Sequence, residues 1–425
     1  MHEPTGPTSP LRQLLVWCGV TIATSILVFQ VTHTRGNWPL YDFIRYWTAG
    51  RLIATGGDPY SPDQVLALQK QVGWTDDDPL LMWNPPWTLV LVVPFGLLPF
   101  DVARLVCLLL QFALSILCAN WIWRFYGGTA RFHWVSWLIS FSYYPLIVVL
   151  IIGQISLLVL LAMAGFLYFE RRQQGLLAGA LAALAAVKPH LVYLFWVALI
   201  IWALHGRRWA VLGGAAAVGL FSTAIAWLFD PLVLQQYWHA LGHHHPPLDA
   251  FTPTFGTFLR IGTGLDTTWL QLVPTMIGIL WCLFHWLRCR RTWKWSDELP
   301  LLLLVSCLTT FYGAWVLDLV VLLVPVLQSA VWVARIQRRA ITISCVLAHL
   351  MINAIAMLMR VAGFAEHQFI WFTPVLFCGY LALRWRERRI LILVANRGHQ
   401  ERSSFNPVCE PNSHRSEQDP RQHID

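Results

Sequence analysis

Residues 157–169 read LLVLLAMAGFLYF and residues 316–333 read VLDLVVLLVPVLQSAVWV, with Asp318 as the one charged residue in either stretch. Neither alternates apolar with polar positions, so neither is patterned as a strand of a membrane barrel. Each approaches or reaches the ~20 residues that carry a helix across ~30 Å of hydrocarbon. The same pattern returns at Leu191–Leu204 and Leu299–Leu308. Over the whole chain of 425 residues, 57% are apolar and 12% charged, where a soluble domain carries roughly 25% charged residues. A water-soluble fold cannot bury that much apolar surface. The reading is an all-α polytopic integral membrane protein whose helices hydrogen-bond their own backbone within the bilayer. Many of the 24 tryptophans stand at the ends of apolar runs (Trp17, Trp38, Trp134, Trp209, Trp269, Trp293, Trp371), the positions of an interfacial aromatic belt.

The formal charge of +8 does not point to nucleic acid, because the basic residues are spread between the runs. Arg171 and Arg172, Arg207 and Arg208, Arg288 to Lys294, Arg335 to Arg339 and Arg384 to Arg389 occupy short inter-span segments, which the positive-inside rule assigns to the cytoplasm. Walking the chain with that rule gives about 12 spans: 11–31, 102–123, 134–152, 154–169, 174–188, 190–205, 209–229, 269–287, 299–312, 316–334, 341–361 and 370–384. Extracytoplasmic loops fall at about 32–81 and 230–268. The proline-rich stretch 83–99 dips into the membrane without crossing, residues 1–389 form one multi-span domain, and 390–425 form a polar, disordered cytoplasmic tail. Both termini are then cytoplasmic and the host is a cell inner (plasma) membrane. The nine cysteines are isolated along the chain and offer neither a disulfide framework nor a zinc pattern.

On this topology the unusual polar groups gather on the extracytoplasmic side: the Asp42 loop, Gly153-Gln154, the hinge Lys188-Pro189-His190, the histidine-rich loop and Asp318. Lysine occurs only at 70, 188 and 294. An ionisable group within a membrane costs about 2.5–3.5 kcal/mol and marks a functional site by default; the competing reading of Lys188 is a side chain that snorkels to the interface.

The segment Tyr41-Asp42-Phe43-Ile44-Arg45-Tyr46-Trp47-Thr48-Ala49-Gly50-Arg51, continued by Gly56-Gly57-Asp58-Pro59-Tyr60, resembles the first-loop signature of glycosyltransferase family 87. Trp83-Asn84-Pro85-Pro86 leading to Leu97-Leu98-Pro99, then Gly153-Gln154-Ile155-Ser156-Leu157-Leu158, then Ala185-Ala186-Val187-Lys188-Pro189 match in order. Asp318-Leu319-Val320-Val321-Leu322-Leu323 resembles the family's later acidic motif. The chain departs from the pattern at Asn84, where an aromatic residue is usual, and at Ser156, where asparagine is common.

The resemblance implies a GT-C type bundle and transfer of a sugar, mannose in the family's expectation, from a polyprenyl-phosphate donor to a lipid- or glycan-linked acceptor at the extracytoplasmic face. The leaving group is already a phosphate, so one carboxylate suffices as general base. Asp42 is the candidate base, against a reading as a capping or ion-paired loop carboxylate. Lys188 with Arg45, Arg51 or Arg260 would neutralise the donor phosphate. Asp58, Gln154, His190, His239, His244 and Asp318 are candidate sugar or acceptor contacts. For Asp58 the alternative is a plain turn, for Gln154 a chain reversal, and for Asp318 a helix cap. Three adjacent histidines, His243 to His245, cannot readily all face one ion, so no metal is expected, and neither is a cofactor. The partners are the donor, the acceptor and membrane lipid. A transporter or a non-catalytic membrane partner of a glycan-assembly complex is the alternative function; a transporter is expected to show internal repeats and midplane charges.

Overall fold

The computed structural model describes residues 41–243, 251–264 and 267–404. The expected first span, 11–31, lies outside them, as do His244 and the end of the expected tail. The described residues are all-α, with no strand among them. The helices are α1 Tyr41–Ala54, α2 Pro62–Gln71, α3 Leu89–Gly96, α4 Phe100–Phe125, α5 His133–Phe141, α6 Tyr144–Ile152, α7 Leu157–Arg171, α8 Gly175–Ala183, α9 Tyr193–His205, α10 Trp209–Phe229, α11 Val233–His243, α12 Phe255–Thr263, α13 Leu272–Cys289, α14 Trp295–Thr309, α15 Leu323–Ile336, α16 Arg339–Val361 and α17 Phe372–Ser404. The last of these runs past residue 390, where the polar tail is expected to begin.

Among the described residues, five helices are long and apolar enough to cross a membrane: Phe100–Phe125, Trp209–Phe229, Trp269–Cys289, Val316–Ile336 and Arg339–Val361. A sixth forms if α5 and α6, bent by 69° at their junction, make one span. The expected spans at 174–188 and 190–205 are shorter apolar helices, and the break between them has a local cause. Pro189 has no N–H, and the residue before a proline is pushed out of the helical region. Lys188 accordingly sits at φ −142°, ψ 68°, between 3₁₀ turns at Leu184–Val187 and Pro189–Val192. Pro86–Gly96 is an apolar run too short to cross, at about 16 Å of helix. It packs against α1 where Gly50 and Gly96 meet backbone to backbone, leaving no room for a Cβ on either.

Burial separates the bundle into a centre and a rim. The Val316–Ile336 window is 78% buried, and its Arg339–Val361 counterpart 11%. Around the first, α7 and α14 fill the interior, with Phe166, Phe195 and Trp295 packed edge to face at centroid distances of 4.9 to 5.6 Å. Around the rim, α10 and α16 expose Leu220, Phe221, Leu228, Leu358 and Val361, as lipid-facing surfaces do.

Candidate active site

Asp42 stands in the first turn of α1, where the helix N-terminus favours a negative charge. Both of its oxygens are held. Arg45 Nη2 lies 2.6 Å from Oδ1, and Gln154 Nε2 donates to Oδ2 at 2.6 Å. The Gln154 amide is itself locked, since its Oε1 accepts from the Ile155 N–H at 2.7 Å and from the Tyr46 hydroxyl. With two donors on the oxygen, the amide nitrogen has to face the carboxylate. Tyr46 is one helical turn from Asp42 on the same face of α1, which is how it reaches Gln154.

Gly153 makes this wiring possible. It closes α6 at φ 70°, ψ 40°, a left-handed cap that glycine adopts without cost. A Cβ there would also meet Phe43 Cβ at 2.7 Å. The chain turns through Gly153–Ser156 and enters α7, so Gln154 and Ser156 face different partners. Ser156 Oγ donates to Asp318 Oδ1 at 2.8 Å, and Lys188 Nζ donates to Ser156 Oγ at 2.9 Å and to Asp318 Oδ1 at 2.7 Å. Lys188 is 8% and Asp318 1% exposed. Lys188 therefore does not snorkel; its ammonium ends on a buried carboxylate.

The two carboxylates belong to one site. Tyr46, Tyr312 and Glu366 each lie close enough to feel the charges of both Asp42 and Asp318. His190 is there too: a Cβ on Gly313 would stand 2.9 Å from His190 Nε2 and 3.3 Å from Asp318 Oδ2. That Asp318 oxygen is buried without a hydrogen-bond partner among the described residues, as is Arg45 Nε. Glu366, in the loop after α16, has its carboxyl raised by burial, an effect opposed by Arg360 at 2.6 Å.

The remaining candidates fall in a second layer or elsewhere. Arg51 is nine positions along α1 from Asp42, roughly 13 Å of helix rise, and donates to the Gly96 carbonyl at 3.2 Å; it does not join the site. Arg260 is buried on α12 with its guanidinium over Phe251 at 5.0 Å, and Phe251 packs on His367, the neighbour of Glu366. Asp58 accepts from the Tyr60 N–H at 2.8 Å in a local turn. Burial raises its carboxyl, Asp230 adds to the rise, and His239 on α11 opposes it. Tyr60 ties that group inward, donating to the Asn84 carbonyl at 3.2 Å, while Asn84 Nδ2 donates to the Val187 carbonyl at 2.7 Å beside Lys188. His239 stacks on His243 at 4.0 Å.

Tyr46, Tyr312 and Glu366 are site residues that the sequence reading passes over. Tyr46 carries a signal in its i+4 spacing from Asp42; the other two carry none. Of the two positions where the chain departs from the resembled pattern, Ser156 accepts from Lys188 Nζ and Asn84 donates to the carbonyl of Val187, the neighbour of Lys188. One triad beyond this site, His285, Cys289 and Glu298, gathers three potential metal-ligating atoms within 4.8 Å. Arg384 Nη2 stands 3.6 Å from the same Glu298 oxygen that His285 meets at 2.8 Å, a charge arrangement already balanced without an ion.

No curated protein and no solved structure matches this chain. The model of glycosyltransferase family 87 matches residues 83–310, which carry Asn84, Gln154, Ser156 and Lys188, while Asp42 and Asp318 lie outside the match. More than half of the chain is covered, and it belongs to glycosyltransferase family 87, a family of membrane glycosyltransferases.

Proposed function

We propose that the protein transfers a sugar, mannose first among the candidates, from a polyprenyl-phosphate donor to a hydroxyl of a lipid- or glycan-linked acceptor. In this reading the short broken helices pair to complete a GT-C type bundle of about 12 spans. The arginine-bearing turns face the cytoplasm of a cell inner membrane, and the Asp42 end faces outward. The observation that carries the proposal is the carboxylate of Asp42, fixed by Arg45 and by the locked Gln154 amide at the end of the bundle where Lys188 and Asp318 also meet.

Asp42 keeps a free lone pair on each oxygen after its two hydrogen bonds. An acceptor hydroxyl placed against one of them loses its proton to Asp42 as its oxygen bonds to the anomeric carbon. The bond from that carbon to the donor phosphate breaks, and its electron pair leaves with the phosphate as polyprenyl phosphate. A single displacement of this kind inverts the anomeric configuration. Arg45, whose side chain is 21% exposed, and the third N–H of Lys188 stabilise the departing charge. Gln154 holds the base in place, a positioning role in place of the sugar contact that its sequence suggests. Asp318 orients Lys188, and His190, with Tyr312, lines the sugar side.

The test incubates the purified full chain in detergent with a panel of polyprenyl-phosphate sugars and with nucleotide sugars, measuring free polyprenyl phosphate and glycosylated lipid. Release from at least one polyprenyl-phosphate sugar is expected. Consumption of a nucleotide sugar with every polyprenyl donor untouched would refute the donor class.

A further inference from the structure

The far end of the bundle from Asp42 carries a second built feature. There Arg172–Gln174 joins α7 to α8, and Gly206–Arg208 joins α9 to α10. A cavity of about 250 Å³ lies between the two turns, lined by Glu170, Gln173, Trp202, Arg207, Arg208 and Trp209 among others. Both turns hold a non-glycine residue in the left-handed region, Gln173 at φ 59° and Arg207 at φ 50°, a conformation that costs an ordinary residue about 1 kcal/mol. Arg208 Nη1 donates to Gln173 Oε1 at 3.1 Å, and the guanidinium carbon lies 5.7 Å from the centroid of the Trp202 ring, which ties the turns together.

The charges around this cavity are incompletely matched. The Arg207 side chain makes no ion pair or hydrogen bond with any described residue. Glu170 is half-buried and has no cation within ion-pair distance among the described residues, although Arg208 is near enough to act on it. The first turn of α10, Trp209 to Val211, also lines the space, and the leading N–H groups of a 21-residue helix favour an anion. The cavity thus offers two guanidinium groups and a helix start to a negative group. To a positive group it offers the Glu170 carboxylate and two indole side chains in its lining.

We propose that this cavity binds the headgroup of a zwitterionic aminophospholipid. The phosphate sits against Arg207, Arg208 and the first turn of α10, and the ammonium sits against Glu170 and the Trp202 and Trp209 side chains. A headgroup with negative charge alone meets Glu170 unfavourably, and inorganic phosphate leaves the carboxylate unpaired. Farther along α10, Leu220 and Phe221 are 73% and 68% exposed and give the acyl chains an apolar track on the same helix. The position suits an interfacial ligand, since Trp209 is 60% exposed at the end of a membrane-spanning helix.

The full chain in detergent micelles is titrated with dioleoyl-phosphatidylethanolamine, dioleoyl-phosphatidylglycerol, O-phosphoethanolamine and inorganic phosphate. Native mass spectrometry counts retained lipid, and the two soluble anions serve as competitors. Phosphatidylethanolamine is expected to be retained about fivefold better than phosphatidylglycerol, a preference that Glu170→Gln removes. Replacing Arg207 and Arg208 together by alanine lowers retention of both lipids by about tenfold. Where Glu170→Gln fails to fold, Glu170→Asp keeps the charge and should keep the preference. Equal or better retention of phosphatidylglycerol by the wild-type chain would overturn the zwitterionic assignment, as would an unchanged preference in Glu170→Gln or a lost one in Glu170→Asp. Displacement of lipid by inorganic phosphate at matched concentration would make this a free-anion site and overturn the lipid reading.

Discussion

Replacing Lys188 by methionine removes a charge from a pair that is almost fully sealed from solvent. Lys188 and Asp318 are 8% and 1% exposed, with Nζ 2.7 Å from Oδ1. Without the ammonium, Asp318 keeps one donor, Ser156 Oγ at 2.8 Å, while its other oxygen already has no partner among the described residues. Breaking a buried pair from one side costs about 3–5 kcal/mol, because the surviving charge is left uncompensated. Asp318→Asn retains an oxygen that accepts from the ammonium, so its cost should be smaller, about 1–3 kcal/mol. The double variant leaves no net charge in the cavity and should recover most of the loss from Lys188→Met, giving a coupling of at least about 2 kcal/mol. Unfolding in mixed detergent and SDS micelles, followed by tryptophan fluorescence, measures all three. Turnover separates stability from chemistry: the double variant should be folded yet remain poor in donor use, because one of the two cations proposed to stabilise the departing phosphate is still missing. Additive losses in the double variant, or a Lys188→Met variant as stable as wild type, would show that the pair does not organise this end of the bundle.

Asp42→Asn keeps the shape of the side chain but cannot take a proton, so turnover should fall by about 10²–10⁴-fold with donor affinity retained; single-turnover assays and donor titration check both, and wild-type turnover would end the case for Asp42 as base. Gly153→Ala places a side chain at φ 70° and against Phe43 Cβ; a loss of at least about 1–2 kcal/mol is expected, with turnover falling further as Gln154 shifts, and a neutral result in a melting assay would contradict the packing. The Asp58 carboxyl is raised by burial. Its contribution to stability is therefore full below the ordinary aspartate value, about pH 4, and is lost as pH rises through the raised value. Asp58→Asn should flatten that segment of the stability–pH curve while keeping the Tyr60 turn, and an unchanged slope would assign the titration elsewhere.

Much of the helical frame is legible in the sequence because apolar run length and chain-breaking residues act locally. The expected span 209–229 coincides with α10, and 102–123 and 341–361 fall within two residues of α4 and α16 at each end. The expected count of about 12 spans is not matched by length alone: among the described residues five helices, or six with the bent pair, are long and apolar enough to cross, since proline and glycine divide several runs into shorter helices. At the site, Gln154, Lys188 and Asp318 are legible as polar groups beside apolar runs, and Asp42 through the motif that carries the family resemblance. Their partners are not, because pairing depends on which breaks meet in space: Gln154 and Asp42 are 112 positions apart, and Lys188 and Asp318 are 130 apart. Arg51 illustrates the converse. It shares a motif with Asp42 in sequence, but helix rise carries it away from the carboxylate.

Three interruptions of regular helix build the site: Gly153–Ser156, the Lys188 hinge and the stretch from Thr310 to Asp318. Irregular backbone within a membrane bundle persists only where it is buried in protein or lines a cavity, so the coincidence of three such breaks is informative about function. At rest the site is neutral, with Arg45 balanced by Asp42 and Lys188 by Asp318. In the proposed reaction the donor phosphate adds negative charge that neither pair holds, and one of the cations turns toward it. Lys188 is anchored by two acceptors, Ser156 and Asp318, in a buried position. Arg45 holds one acceptor at the edge, with its Nε still without a partner. Arg45 is therefore the cation freer to move. In the proposed reaction its rotation toward the phosphate releases Asp42 Oδ1, the atom then available to receive the acceptor proton, while Gln154 keeps Oδ2 in place. Donor binding and release of the base would then be one event, with Asp42 held in its ion pair with Arg45 whenever no sugar is present to transfer.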